Sequence, residues 1–367
     1  MSKEIITQKQ GIVMMVTFIL GSTLVLGAGN EAKQDVWLAI LLSMAMAVPA
    51  CLVYIRLLTI FPGKGLYEVL IKVFGGILGR IMAIPFIWFV FHLGSLVIRN
   101  FTEFITVVSI PETPEYIIAI FMAVLCIWAV KAGIEVIGRW TSITLPILII
   151  VILAVTFLFA GILKFENLKP VLVNGMAPVL NTAFSVFAFP FAETVIFTTV
   201  LNKLRQDCKP HKVYFWSLLI GGSIIFLVSV RSLLSLGEGN ILILYFPSYA
   251  SVRLINIGNF LQRIEVSVTM VFIISGFVKI SICLYSACTG IAKILGSRDY
   301  RWLVAPIGLS MVILSLIIYN DTVEMFEWAS KIFKYYAFPF EVVLPVIILI
   351  AAEIKVRSVR KRREAVK

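Results

Sequence analysis

The chain has 367 residues, 60% hydrophobic and only 14% charged, with a mean hydropathy of +1.01. Soluble domains carry about 25% charged residues, so this composition excludes an ordinary globular domain and describes a polytopic membrane protein. The net charge of +12 invites a nucleic-acid reading. The basic residues, however, sit in short loops between apolar runs, which is the positive-inside pattern of membrane proteins.

A helix needs about 20 apolar residues to cross a bilayer, and about ten stretches meet that template. In chain order they are 10–26, 37–60, 78–108, 116–130, 140–162, 178–201, 213–236, 261–295, 302–318 and 336–354. Lysines and arginines concentrate in the loops around 56–80 and 203–212 and in the tail 355–367. That bias places both termini in the cytoplasm and requires an even number of spans. The start, MSKEIITQKQ, has no short apolar core followed by a small-residue cleavage site, so no cleaved signal peptide is expected.

Two connections read as surface helices. Residues 65–78 place Leu66, Val69, Leu70 and Val73 at helical spacing, and 321–335 does the same on the opposite side, with Phe326 and Trp328 as interface anchors. The loop 241–256, with Pro247, is expected to dip back toward the protein, and Glu341 is assigned to the interface. The whole chain is expected to form one transmembrane domain: 1–162 and 163–354 as two inverted repeats, then a basic cytoplasmic tail, 355–367.

The unusual span is the sixth, PVLNTAFSVFAFPFAETVIFTTVL. Pro190 removes a backbone donor and breaks a helical turn, and Glu193 follows within a turn. In lipid such a break persists only beside protein or a wet cavity, and an intramembrane carboxylate points to function. The first span carries Gly21-Ser22-Thr23 at about the same depth as Phe187-Ala188-Phe189-Pro190, roughly 16 Å from the start of each span at ~1.5 Å per residue. Paired interruptions in two inverted halves point to a transporter-type binding site; taken alone, small residues such as Gly21 also serve close helix packing. Unwound backbone and half-helix N-termini suit a carboxylate, Ser22 and Thr23 add hydroxyls, and Phe187 and Phe189 can wall an apolar side chain. A zwitterionic amino acid fits these groups best.

Glu193 can receive an α-amino group or a proton, or serve as a satisfied packing carboxylate. Lys279 lies ~21 Å from Lys293 along the eighth span, too far to snorkel easily, and so needs a partner or a wet cavity. In a five-plus-five transporter the first and eighth helices adjoin a coupling-ion site, so the Lys279 ammonium is a candidate substitute for that ion; the plainer reading is a structural ion pair. Arg99 and Glu103, one turn apart, together with Arg263 and Glu265, read either as an outer gate or as ordinary helical and interfacial pairs. Catalysis finds little support. Gly63-Lys64-Gly65 is no phosphate loop, His92 and His211 share no metal-ligand spacing with Cys51, Cys126, Cys208, Cys283 and Cys288, and no cofactor is expected.

Asn167-Leu168-Lys169-Pro170 followed by Asn174-Gly175-Met176-Ala177-Pro178 resembles the loop entering the sixth span of spore germinant-receptor B subunits. These are the endospore germination permeases of the amino acid–polyamine–organocation superfamily. Ile19-Leu20-Gly21, Arg99 to Glu103 with Pro111 and Pro114, and Arg263-Ile264-Glu265 match in the same order. The resemblance implies an all-α five-plus-five inverted repeat of the LeuT/amino-acid-permease type, with broken first and sixth helices, in the spore inner membrane. It also implies germinant recognition by Gly21-Ser22-Thr23 and Phe187–Phe189, alongside a membrane A subunit and a lipoprotein C subunit. Many permeases carry a G-x-G in the first break, where this chain has Gly21-Ser22-Thr23. Three roles remain open: a germinant sensor, an amino-acid permease (proton-coupled through Glu193 or Lys279), or an ion or water conduit.

Overall fold

A computed structural model describes residues 4–21, 23–255 and 264–364. The helices are α1 (Gln8–Leu20), α2 (Thr23–Leu26), α3 (Val36–Ile60), α4 (Leu66–Phe74), α5 (Gly76–Val108), α6 (Glu115–Ala132), α7 (Ile134–Leu158), α8 (Met176–Val186), α9 (Pro210–Ile243), α10 (Pro247–Val252), α11 (Glu265–Ile294), α12 (Arg301–Ile317), α13 (Thr322–Glu327), α14 (Phe333–Phe338) and α15 (Leu344–Glu364). Among the described residues eight helical segments are long and apolar enough to cross a membrane, and two shorter apolar helices, Gln8–Leu20 and Arg301–Ile317, complete the ten expected spans.

The two interrupted segments lie at the centre, as their burial requires. α1 packs on α7, α9 and α11, while α3 and α11 flank the segment that follows α8. α1 begins at a capping box in which Thr7 and Gln10 satisfy each other's backbone donors, at 2.8 and 3.2 Å. Just before it, Ile6 exchanges backbone hydrogen bonds with Lys203 and Arg205 at the end of the sixth segment. The opposite ends of the two segments are tied as well. The carboxylate of Asp35 accepts from Leu172 N–H at 3.0 and 3.2 Å, Gln34 donates to Pro170 O, and Asn167 donates to Leu234 O. The motif-bearing loop is therefore a buckle between the exit of the first break and the entrance to the second.

The surface helix expected at 65–78 is α4, and the loop at 241–256 does turn inward, with α10 packed against α2, α9 and α11. The helix expected to lie on the surface at 321–335 instead runs straight into the tenth span as one segment, Thr322–Ser358. Phe326 packs on Tyr245 and Phe246, and Trp328 on His92 and Tyr336, so both turn at least one face toward rings of the protein. The same extension moves Glu341 from a membrane surface to mid-segment, where it is fully buried. The apolar periodicity of 321–335 was sound; its buried face meets the bundle rather than headgroups.

Candidate functional site

The first span stops being helical at Gly21 (φ 19°, ψ −124°) and resumes at Thr23; Ser22 lies outside the described residues. The requirement for glycine is one of space. A Cβ at Gly21 would lie 2.6 Å from Lys279 Cδ and 2.8 Å from Phe18 O. Ser275, one turn before Lys279 on α11, donates to Gly21 O at 3.0 Å. Thr23 is buried, and its hydroxyl is turned back to Ile19 O at 3.1 Å.

The sixth segment changes helix type twice. α8 gives way to a π turn, Phe187–Phe191, and then to a 3-10 stretch, Ala192–Thr199. Phe189 leaves helical geometry altogether (φ −124°, ψ 108°), next to a cis Phe189–Pro190 peptide. Wide turns of this kind recur at functional sites because they leave carbonyls without intrahelical partners. Tyr54 on α3 reaches both spans interrupted by π turns, its hydroxyl lying 2.7 Å from Glu341 O in the tenth and 3.3 Å from Ala192 O in the sixth.

Between the breaks lies an ion pair shut off from solvent. Lys279 Nζ sits 2.5 Å from Glu193 Oε2, both side chains are fully buried, and the ammonium faces the rings of Phe189 (4.5 Å) and Phe18 (5.1 Å). Glu193 Oε1 has no hydrogen-bond partner among the described residues. The carboxylate borders a cavity of about 20 Å³, with Asn100, Phe189 and Trp328 in its wall. Phe189 also lines a much larger vestibule of about 280 Å³, open on the side away from the N-terminus and bounded by Gly27–Glu31. Its ring thus stands between vestibule and charge pair. Ala188 is buried behind it, and Phe187 points elsewhere, into a separate cavity with Tyr54 and Glu341. The expectation that Phe187 and Phe189 wall one pocket is corrected: the π turn sends the two rings to opposite sides.

Arg99 and Glu103 do pair, at 3.2 Å, and both are buried. Their further partners are Glu115 at the start of α6, bound by Arg99, and Thr322, bound by Glu103. Glu265 is half-buried in the first turn of α11, and Arg263 lies outside the described residues. Glu115 was not singled out from sequence, although an acidic residue directly after Pro114 at a helix start is a capping signal. Glu341 was also missed as a buried group. Among the described residues no group of three or more His, Cys, Asp or Glu could hold a metal ion.

Ten spans with paired breaks in the first and sixth define a transporter-type membrane protein. Solved structures agree on that fold: MhsT in complex with L-phenylalanine (TM-score 0.62, 13% identity, 96% of this chain and 99% of that one) and the nucleobase-cation-symport-1 family transporter Mhp1 (TM-score 0.65, 12% identity, 95% and 78%). The chain belongs to the spore germination protein family, whose model matches residues 5–323. Spore germination protein KB of Bacillus subtilis (strain 168) is 29% identical over 99% of this chain and 98% of its own length. The molecule is therefore an integral membrane protein of the germinant-receptor type, built as a five-plus-five inverted repeat.

Proposed function

We propose that the chain is the germinant-sensing membrane subunit of a spore germination receptor, with an amino-acid-like ligand held between the two breaks. The observation that carries this reading is Glu193: a fully buried carboxylate with one oxygen on Lys279 and the other free, beside a cavity that Phe189 closes off from an open vestibule. The free oxygen suits an α-ammonium, and the backbone amides of Ser22-Thr23 are assigned to the carboxylate, since the Gly21 N–H is already bonded to Thr17 O at 3.0 Å. Phe189 and Ala188 border the side-chain end, and Phe187 supports the turn from behind. Lys279, wedged against Gly21, takes the place of a coupling cation. Arg99 and Glu103 close the outer end, with Arg263 and Glu265 as flanking members.

A cavity of about 20 Å³ holds about one water, not an amino acid. Binding therefore requires the Phe189 turn to move, and a ligand that favours the moved state shifts the population toward it. In this reading that shift is the signal, passed to a membrane A subunit and a lipoprotein C subunit in the spore inner membrane, with both termini of this chain cytoplasmic and residues 1–162 and 163–354 as the two repeats. A permease reading draws on a cavity of about 120 Å³ at the N-terminal side, lined by Tyr67, Lys293 and Tyr300 and by Thr199 at the end of the 3-10 stretch that carries Glu193. Amino-acid uptake by the isolated chain in liposomes separates transport from sensing.

The site is tested with spores whose receptor carries Phe189→Ala, challenged with an amino-acid panel. The half-maximal germinant concentration is expected to move by about tenfold or more, the scale of losing one aromatic wall, with larger side chains newly accepted. Wild-type responses at wild-type receptor levels place the ligand elsewhere.

A further inference from the structure

We infer that the cavity on the other side of the broken turn is a second ligand site, and that it takes a small hydrophobic amine in its cationic form. The inference does not rest on the sensing role of the central site. The cavity holds about 340 Å³, against about 20 Å³ beside Glu193. It is bounded by α3, by the end of α8 with its π turn, and by the last span, where a second π turn, Pro339–Val343, faces the first. Its walls are apolar and rich in rings: Val53, Phe184, Phe187, Phe338 and Val346, with Tyr54 at the back.

Glu341 lines this cavity, is fully buried, and has no hydrogen-bond partner for either carboxylate oxygen among the described residues. Burying an unpartnered carboxylate is costly, and a matching donor or cation recovers that cost. The neighbouring protein groups are already committed. The single hydroxyl proton of Tyr54 is directed to the backbone oxygens of Glu341 and Ala192, and the Lys279 ammonium is bound to Glu193 at 2.5 Å.

The lining selects the class of occupant. An ammonium satisfies the carboxylate, and the faces of Phe184, Phe187 and Phe338 favour a cation with an apolar body. A zwitterion or an acid finds no partner, because among the described residues no lysine, arginine or histidine lines the cavity. The rim is formed by Met46 and Pro49, exposed residues midway along α3, so entry is from the hydrocarbon of the bilayer, which the uncharged form of a hydrophobic amine enters and an amino acid does not. On docking the amine becomes the ammonium by taking the proton of the Glu341 carboxyl group, leaving a carboxylate beside it. Phe187 begins the turn that carries Phe189, so an occupant pressing on it biases the same break that borders the central cavity.

The test uses the full chain in lipid nanodiscs and equilibrium binding of 2-phenylethylamine, with 2-phenylethanol and 3-phenylpropanoate as neutral and anionic counterparts. Saturable amine binding is expected, with the alcohol at least about tenfold weaker and the acid not bound, as the loss of one partner of a buried charge pair implies. Glu341→Gln is expected to weaken the amine by about tenfold or more and to leave the alcohol unchanged. Val53→Phe, which fills the cavity and keeps the carboxylate, is expected to abolish saturable binding of both. The inference is overturned by equal affinity for amine and alcohol, by non-saturable partitioning alone, or by undiminished amine affinity in Glu341→Gln. Should Glu341→Gln not accumulate, unchanged amine binding in Val53→Phe overturns it equally.

Discussion

The two breaks meet across the Lys279–Glu193 pair and are built in opposite ways. At the first, the absence of a side chain is what matters: Gly21 makes room for the stem of Lys279, and side chains of α11 hold the backbone from outside. At the second, the backbone itself changes pitch, from α to π to 3-10, and a side chain, Phe189, is placed between two cavities. The first break is braced and the second is hinged. Under the proposed sensing role, the braced half would set where the ligand sits and the hinged half would report that it has arrived.

The strongest way to break this contrast is to remove the charge that joins the halves. Lys279→Met leaves Glu193 buried without a partner and is expected to cost about 3–5 kcal/mol, enough to remove most of the protein from the membrane. Glu193→Gln combined with Lys279→Met removes both charges and is expected to recover most of that loss, read by thermal unfolding of the purified chain. A double variant no more stable than Lys279→Met would show that the lysine acts through packing rather than through its pair. Where Lys279→Ala spores retain receptor, their germinant response is expected to become sodium-dependent if the ammonium stands in for a coupling cation. A response that stays sodium-independent ends that role.

Gly21 tests the braced half. Its absent Cβ would press on Phe18 O at 2.8 Å, a backbone atom that cannot step aside as a lysine stem can. Gly21→Leu is expected to cost about 1–3 kcal/mol from overpacking and to lower receptor level and response together. Phe189→Ala, by contrast, is expected to change selectivity at near-normal level. If Gly21→Leu alters selectivity without loss of level, the first break is as adaptable as the second and the contrast is gone.

The fold was legible because bilayer thickness is a strict ruler: the ten spans, the inward α10 and both breaks follow from apolar length, proline and glycine. Lys279 was readable as needing a partner, and its distance from Lys293 at the inner end of the span gave that away. That the partner is Glu193 was not readable, since helices 86 residues apart in sequence are joined only by packing. The opposed directions of Phe187 and Phe189 were hidden for a related reason: helical spacing assumes about 3.6 residues per turn, and a π turn breaks that count. Glu341 was misplaced because amphipathic residues 321–335 resemble a surface helix whether their apolar face meets lipid headgroups or protein.

The smallest expected effect is also the most discriminating. Ser275 Oγ has one proton and three carbonyls in range: Val271 O at 2.6 Å, Gly21 O at 3.0 Å and Phe272 O at 3.3 Å. The bond within its own helix is the shortest, so Gly21 O receives a minor share and is braced mainly by the packing of Lys279. Ser275→Ala is accordingly expected to cost about 0.5–1.5 kcal/mol in thermal unfolding, and Ser275→Thr less, because it restores the hydroxyl. Germinant sensitivity should follow receptor level in both. A loss of response in Ser275→Ala at full receptor level, rescued by threonine, would mean that the hydroxyl serves a ligand or ion at the first break, and that the braced half takes part in recognition rather than only holding its shape.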